Sequence, residues 1–139
     1  MHFFQYSDFD LNRSATHTDT LTIDPTLHIV YQTPAPVSGA AVLSETTISP
    51  RPNHAEANVG SATLAELNDA LPTTLNDNLS ITTPSDVTWA FEWDASIAHG
   101  GTLLISKDKL LAPVPEPAAS VLLGGALLAL SAKLRKRNA

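Results

Sequence analysis

"VTWAFEWDASI" (Val87–Ile97) is the stretch that decides the fold. Val87, Trp89, Phe91, Trp93, Ala95 and Ile97 share one face, and Thr88, Ala90, Glu92, Asp94 and Ser96 share the other. A period of two held over eleven residues describes a β-strand with one face on a core and the other in water. Burying both tryptophans and Phe91 contributes several kcal/mol, at about 25 cal/mol per Å2 of apolar area. "AHGG" (Ala98–Gly101) then supplies turn residues. "TLLISKDKLL" (Thr102–Leu111) is expected to return as the hairpin partner, with Lys107, Asp108 and Lys109 guarding an edge. This hairpin is expected to be the centre of the sheet packing.

Upstream, "DTLTIDP" (Asp19–Pro25) puts Leu21 and Ile23 on one face and Thr20 and Thr22 on the other. "TLHIVYQT" (Thr26–Thr33) aligns Leu27, Ile29 and Tyr31. Both suit strands, with Asp24-Pro25 as the turn between them. "GAAVLSETTISP" (Gly39–Pro50) is a weaker strand, bounded by Gly39 and Pro50. "RPNHAEANVGS" (Arg51–Ser61) reads as loop, and so does most of "PTTLNDNLSITTPSD" (Pro72–Asp86). One helix is expected in "TLAELNDALP" (Thr63–Pro72). Thr63 is placed to cap it and Glu66 to complete a capping box; Leu64, Leu67 and Leu71 form a stripe, and Pro72 stops the run.

At 139 residues the chain allows one small domain plus a tail. Charge divides between the two. Residues 1–113 carry 13 acidic side chains against Arg13, Arg51, Lys107 and Lys109, a balance of −9. Residues 114–139 carry Glu116 against Lys133, Arg135, Lys136 and Arg137, a balance of +3, which brings the chain to −6. An acidic body argues against nucleic acid as a partner, because phosphate neutralisation needs a basic face. The absence of cysteine excludes disulfides, thiolate catalysis and thiolate-ligated zinc. "MHFFQYSDFDLNRS" (Met1–Ser14) has no basic opening, and Asp8 and Asp10 interrupt its apolar residues, so no signal peptide is read there.

Candidate chemistry is sparse. His2, His17, His28, His54 and His99 show no i, i+4 pairing, and no carboxylate cluster completes a metal site, so no metal or cofactor is expected. No G-x-S-x-G elbow accompanies the serines and aspartates. Glu92 and Asp94 lie two apart on one strand face, where glycosidase-like chemistry is conceivable. Their expected setting, however, is the solvated face opposite the aromatic core. "HGGT" lacks the lysine and flanking pattern of a phosphate loop. Asn12-Arg13-Ser14 and Asn78-Leu79-Ser80 match the N-glycosylation triplet, a pattern common by chance.

The chain ends "VPEPAASVLLGGALLALSAKLRKRNA" (Val114–Ala139). As a helix, residues 118–132 span about 22 Å, against a hydrocarbon core of about 30 Å. Spanning is feasible with Lys133 and Arg135 snorkelling, and the glycine pair Gly124-Gly125 weakens the helix further. The basic cluster belongs on the cytoplasmic side, which puts residues 1–113 outside.

Val114-Pro115-Glu116-Pro117, the apolar run, and then Lys133, Arg135, Lys136 and Arg137 together resemble the PEP-CTERM sorting signal, over about 25 residues. The resemblance implies an exported protein of a Gram-negative bacterium that makes extracellular polysaccharide. It also implies recognition and processing of the tail by exosortase, a membrane cysteine protease-transpeptidase, with Val114–Pro117 as the sorting motif. The same tail is also labelled an ice-binding protein C-terminal domain, a label that does not imply ice binding. "HFFQYSDFDLN" (His2–Asn12) and the stretch from Val87 to Leu111 are similar to parts of the all-β ectodomains of such proteins. Export needs a signal peptide, so the expectation is that upstream sequence encodes one, together with at least one further strand.

The expected organisation is a β-rich extracytoplasmic domain at 1–111, built as a small antiparallel sheet or sandwich with one short helix. A proline-rich linker and motif at 112–117, a transmembrane helix at 118–132 and a basic cytoplasmic tail at 133–139 follow. The expected function is that of a non-enzymatic surface or matrix protein. It passes through an inner-membrane intermediate to the cell surface, with exosortase, the membrane and extracellular polysaccharide as partners. The alternatives are a polysaccharide-binding module on a permanent anchor, and a glycosidase-like enzyme using Glu92 or Asp94.

Overall fold

The computed structural model describes residues 1–11, 18–35 and 41–113. In chain order these form β1 (His2–Asp8), β2 (Asp19–Asp24), β3 (Ile29–Pro34), β4 (Ala41–Ser49), β5 (His54–Val59), α1 (Ala62–Leu67), β6 (Ser80–Ser85), β7 (Val87–Asp94) and β8 (Ser106–Pro113). The strands make a three-stranded sheet, β1-β7-β5, and a five-stranded sheet, β6-β2-β3-β4-β8. Every pairing is antiparallel. The expected class, mainly antiparallel β with one short helix, is what these residues adopt.

The two sheets face each other across the core. Val87, Trp89, Phe91 and Trp93 of β7, with Ala55 and Ala57 of β5, pack against Leu21, Ile23, Val30 and Leu43 of the larger sheet. The small alanines of β5 stand opposite the largest side chains of β7, Ala55 against Phe91 and Ala57 against Trp89, so the layer fills without collision. Trp93 donates its indole N–H to the Pro50 carbonyl at 2.9 Å.

The β2–β3 hairpin turns where the Asp24-Pro25 pair places it. One Asp24 carboxylate oxygen accepts the backbone N–H groups of Thr26 and Leu27 at 2.7 and 2.8 Å, which holds its pKa below the usual carboxylate value. His28 closes the turn with φ of +51°, in the left-handed region. On β3 the core side is Val30 and Gln32, whereas Tyr31 is exposed. β4 occupies the segment between Gly39 and Pro50, as expected.

Several expectations are corrected. β8 is an edge strand, but it pairs with β4 in the other sheet and not with β7, so the predicted hairpin does not exist. Residues 95–105 carry the chain from one sheet to the other. β7 is the central strand of its sheet and is buried on both faces through Trp93. Its second face was expected in water; instead α1 and residues 68–78 lie over it, burying Thr88, Ala90 and Glu92. Residues 54–59 form β5 and residues 80–85 form β6, where loop was expected. Small and polar side chains hide β5, because its burial comes from neighbouring layers, whereas β6 is a largely exposed edge strand.

The helix is shorter than its leucine stripe implies. Ser61 occupies the cap position without a side-chain cap hydrogen bond, and no capping box forms. Thr63 is instead buried inside the helix, its hydroxyl donating to Glu56 at 2.7 Å. Leu64 and Leu71 are exposed. Among the described residues no helix is long and apolar enough to cross a membrane. The expected transmembrane helix at 118–132 lies outside the described residues.

Candidate functional site

The covered face of β7 carries the chemistry. Two-residue spacing puts Glu92 and Asp94 on that face. The β1 register sets His2 opposite Asp94, and the β5 register sets His54 opposite Glu92. His2 Nδ1 lies 2.8 Å from Glu92 Oε1 and 2.8 Å from Asp94 Oδ1. Glu92 is fully buried, and its other oxygen accepts the Leu75 N–H at 2.8 Å. His2 and Asp94 sit at the rim, with side chains 54% and 41% exposed. Asn53 fixes this end of β7: its N–H donates to the Glu92 carbonyl at 2.7 Å, and its side-chain oxygen accepts the Asp94 N–H at 2.8 Å.

A concavity of about 270 Å3 opens beside His2, lined also by Phe4, Leu67, Leu71, Pro72, Thr73 and Thr74. Another of about 270 Å3 lies by His54 and Asp77. There Asp77 bridges the cap to β5, one oxygen on His54 Nδ1 at 2.9 Å and the other accepting the Ala55 N–H at 3.1 Å. The contact with Asp77 raises the His54 pKa, and the charges of Glu92 and Asp94 add to the shift. Burial works to raise the Asp77 pKa, but the hydrogen bonds from His54 and Ala55 prevail and hold it low.

A second buried carboxylate on this face, Glu56, accepts from neutral donors: the Thr63 hydroxyl, the Asn58 amide and the Asn76 backbone N–H. Between the sheets, Glu45 of β4 is also fully buried. Lys109 of β8 reaches it at 2.7 Å and Lys107 at 3.3 Å, while Gln5 of β1 donates to it at 2.6 Å. Burial pushes the Glu45 pKa up, but these donors and charges outweigh it and hold the group low. Lys109 also stands 4.2 Å over the Phe9 ring.

The expectation of a solvated Glu92 is therefore overturned, while Asp94 is partly exposed as expected. The structure brings His2 to this pair although 90 residues separate His2 from Glu92, which is why no local spacing revealed it. Asn78, of the second glycosylation triplet, donates its side-chain amide to the Ala57 carbonyl at 2.7 Å. Asn12, Val114–Pro117, Lys133, Arg135, Lys136 and Arg137 lie outside the described residues. Compared with known proteins, the chain matches no family model, no curated protein and no solved structure.

Proposed function

We propose that this chain is an exported surface or matrix protein of a bacterial cell envelope. In this reading a β-rich, non-catalytic ectodomain is delivered by a C-terminal PEP-CTERM signal that exosortase recognises and processes. The observation that carries the proposal is the ordered tail: Pro115-Glu116-Pro117, an apolar run too short for comfortable spanning, and Lys133, Arg135, Lys136 and Arg137. β8, the last strand among the described residues, ends at Pro113, and the motif begins at the next residue. Both tryptophans are buried in the core, which supports a scaffold over a sugar-stacking platform built on them.

The test is to express the full-length gene in its host with and without exosortase and to follow the mass of the C-terminal region. Loss of the basic terminus only where exosortase is present is the expected result. An intact tail in both strains leaves a permanently anchored membrane protein.

One observation favours a polysaccharide-binding module as the second reading. The outer face of the larger sheet has a groove of about 270 Å3 in which exposed Tyr31 and Leu110 stand beside Thr33 and Ser44. An aromatic ring flanked by hydroxyls suits a sugar face, and a glycan array with a Tyr31→Ala control tests it. The glycosidase-like reading is weaker. Glu92 spends both oxygens on His2 and Leu75, and one of its oxygens lies within 4.8 Å of an Asp94 oxygen. Retaining glycosidases hold their two carboxyl groups about 5–5.5 Å apart, and inverting ones further still.

A further inference from the structure

We propose that His2, Glu92 and Asp94 form a binding site for a divalent first-row transition-metal ion of the zinc class. The inference is independent of how the tail is processed. One imidazole nitrogen and two carboxylate oxygens, from two adjacent strands, lie within 4.8 Å of one another. Metal–ligand bonds of about 2.0–2.2 Å place neighbouring ligand atoms roughly 3.0–3.5 Å apart in octahedral or tetrahedral geometry. The two 2.8 Å separations around His2 Nδ1 need to open by a few tenths of an ångström, while the two carboxylate oxygens, within 4.8 Å of each other, draw together around the ion. A cation at the centre then replaces both contacts.

The protonic alternative is poorly matched to this geometry. A ring nitrogen carries one proton, yet His2 Nδ1 faces two carboxylate oxygens at the same distance. A metal ion satisfies all three groups at once. Charge balance points the same way. Among the described residues the lysines of β8 are committed to Glu45, Arg51 donates to the Thr26 carbonyl at 2.8 Å, and the Met1 ammonium donates to the Ala95 carbonyl at 3.0 Å. That leaves fully buried Glu92 with no permanently charged partner.

The surroundings supply the outer support that metal ligands need. The Leu75 N–H orients the Glu92 carboxylate, and Asn53 holds the backbone on either side of it. His2 and Asp94 sit at the open rim, which gives an ion a way in. Three protein ligands leave positions for water, as in open zinc sites; calcium, which takes six to eight oxygens, is excluded as the preferred ion.

The test uses the full chain without a histidine tag, in a non-ionic detergent, stripped with chelator and titrated with Zn2+ and separately with Ca2+. Calorimetry is expected to give one saturable Zn2+ site and little response to Ca2+. Thermal unfolding is expected to shift upward and to go on rising with the logarithm of free Zn2+ beyond one equivalent. His2→Ala and Asp94→Asn, both at half-exposed positions and each checked for folding by tryptophan emission, should each weaken binding tenfold or more. His99→Ala, in an exposed turn outside the cluster, should bind as the wild type does. Co2+ in place of Zn2+ should give visible ligand-field bands that the His2→Ala chain lacks. Absence of a saturable site, or undiminished binding by the His2→Ala chain, overturns the proposal.

Discussion

Replacing Lys109 with Met tests how far the fold depends on neutralising the buried Glu45 carboxylate, its cross-strand partner within the larger sheet. Methionine keeps the apolar stem in contact with its neighbours and removes only the charge. Stripping one partner from a buried ion pair costs about 3–5 kcal/mol, because the remaining charge is left in low dielectric. Two facts reduce that figure here. Lys109 is 37% exposed, and Lys107 stays within 3.3 Å of Glu45. Losing the cation over Phe9, 4.2 Å from the ring, adds back about 0.5–1 kcal/mol. The expected net loss is about 2–3 kcal/mol, or roughly 1–2 M in urea midpoint at a slope near 1.5 kcal/mol per M.

Trp89 and Trp93 are the only tryptophans, and both are buried, so their emission reports unfolding without a label. The double variant Glu45→Gln/Lys109→Met decides the cause. Glutamine still accepts from Gln5 but leaves no buried charge, so the double variant should be more stable than Lys109→Met alone. The pH dependence carries the same signature. Glu45 has a depressed folded pKa, so its contribution is present above the unfolded carboxylate value and is lost as pH falls through the folded one. The gap between wild type and Lys109→Met should therefore narrow below about pH 4. A midpoint shift under about 0.5 M, or a double variant no better than the single, refutes the argument.

Two further predictions concern the cap over β7. Thr63→Val should destabilise by about 1–3 kcal/mol, since it deprives buried Glu56 of its 2.7 Å hydroxyl donor, whereas Ser61→Ala, with no cap bond to lose, should change the urea midpoint little. The His54–Asp77 contact should stabilise most between the two unfolded pKa values, roughly pH 4 to 6.5. His54 is raised, so its contribution is complete below the unfolded histidine value and disappears as pH rises through the folded one. Asp77 is lowered, so its contribution is present above the unfolded aspartate value and disappears as pH falls through the folded one. Asp77→Asn should flatten that maximum in a stability–pH series; an unchanged profile counts against the pair.

How far the sequence could be read depended on whether burial was local. The alternation of Trp89, Phe91 and Trp93 announces a strand because large apolar residues at period two have few other uses. Asp24-Pro25 announces its turn because the aspartate side chain bonds its own backbone two and three residues on. What failed was whatever a second layer decides. Ala90 and Thr88 look like an exposed face until α1 and residues 68–78 cover them. Ala55 and Ala57 look like loop until Trp89 and Phe91 stand over them. The assignment of β8 to β7 followed from nearness in sequence, and crossing to the other sheet leaves no local mark. Half of the candidate site, Glu92 with Asp94, was visible as spaced carboxylates. The other half, His2, arrives only through strand pairing.

The buried carboxylates, compared with one another, sharpen the case for the cluster. Each sits where an ion is expensive, and each is stabilised differently. Glu45 has two lysines and a depressed pKa. Glu56 has neutral donors from Asn58, Thr63 and Asn76. For Asp19, burial outweighs the hydrogen bonds from Gln32 and the Leu11 N–H, and its pKa rises. Glu92 fits none of these patterns. It shares one histidine nitrogen with a second carboxylate, at the rim of a concavity, on the sheet away from the strand that leads to the tail. A purely structural solution would resemble Glu45 or Glu56, with donors that no second carboxylate shares. An arrangement in which two acceptors compete for one proton is what a cation would complete.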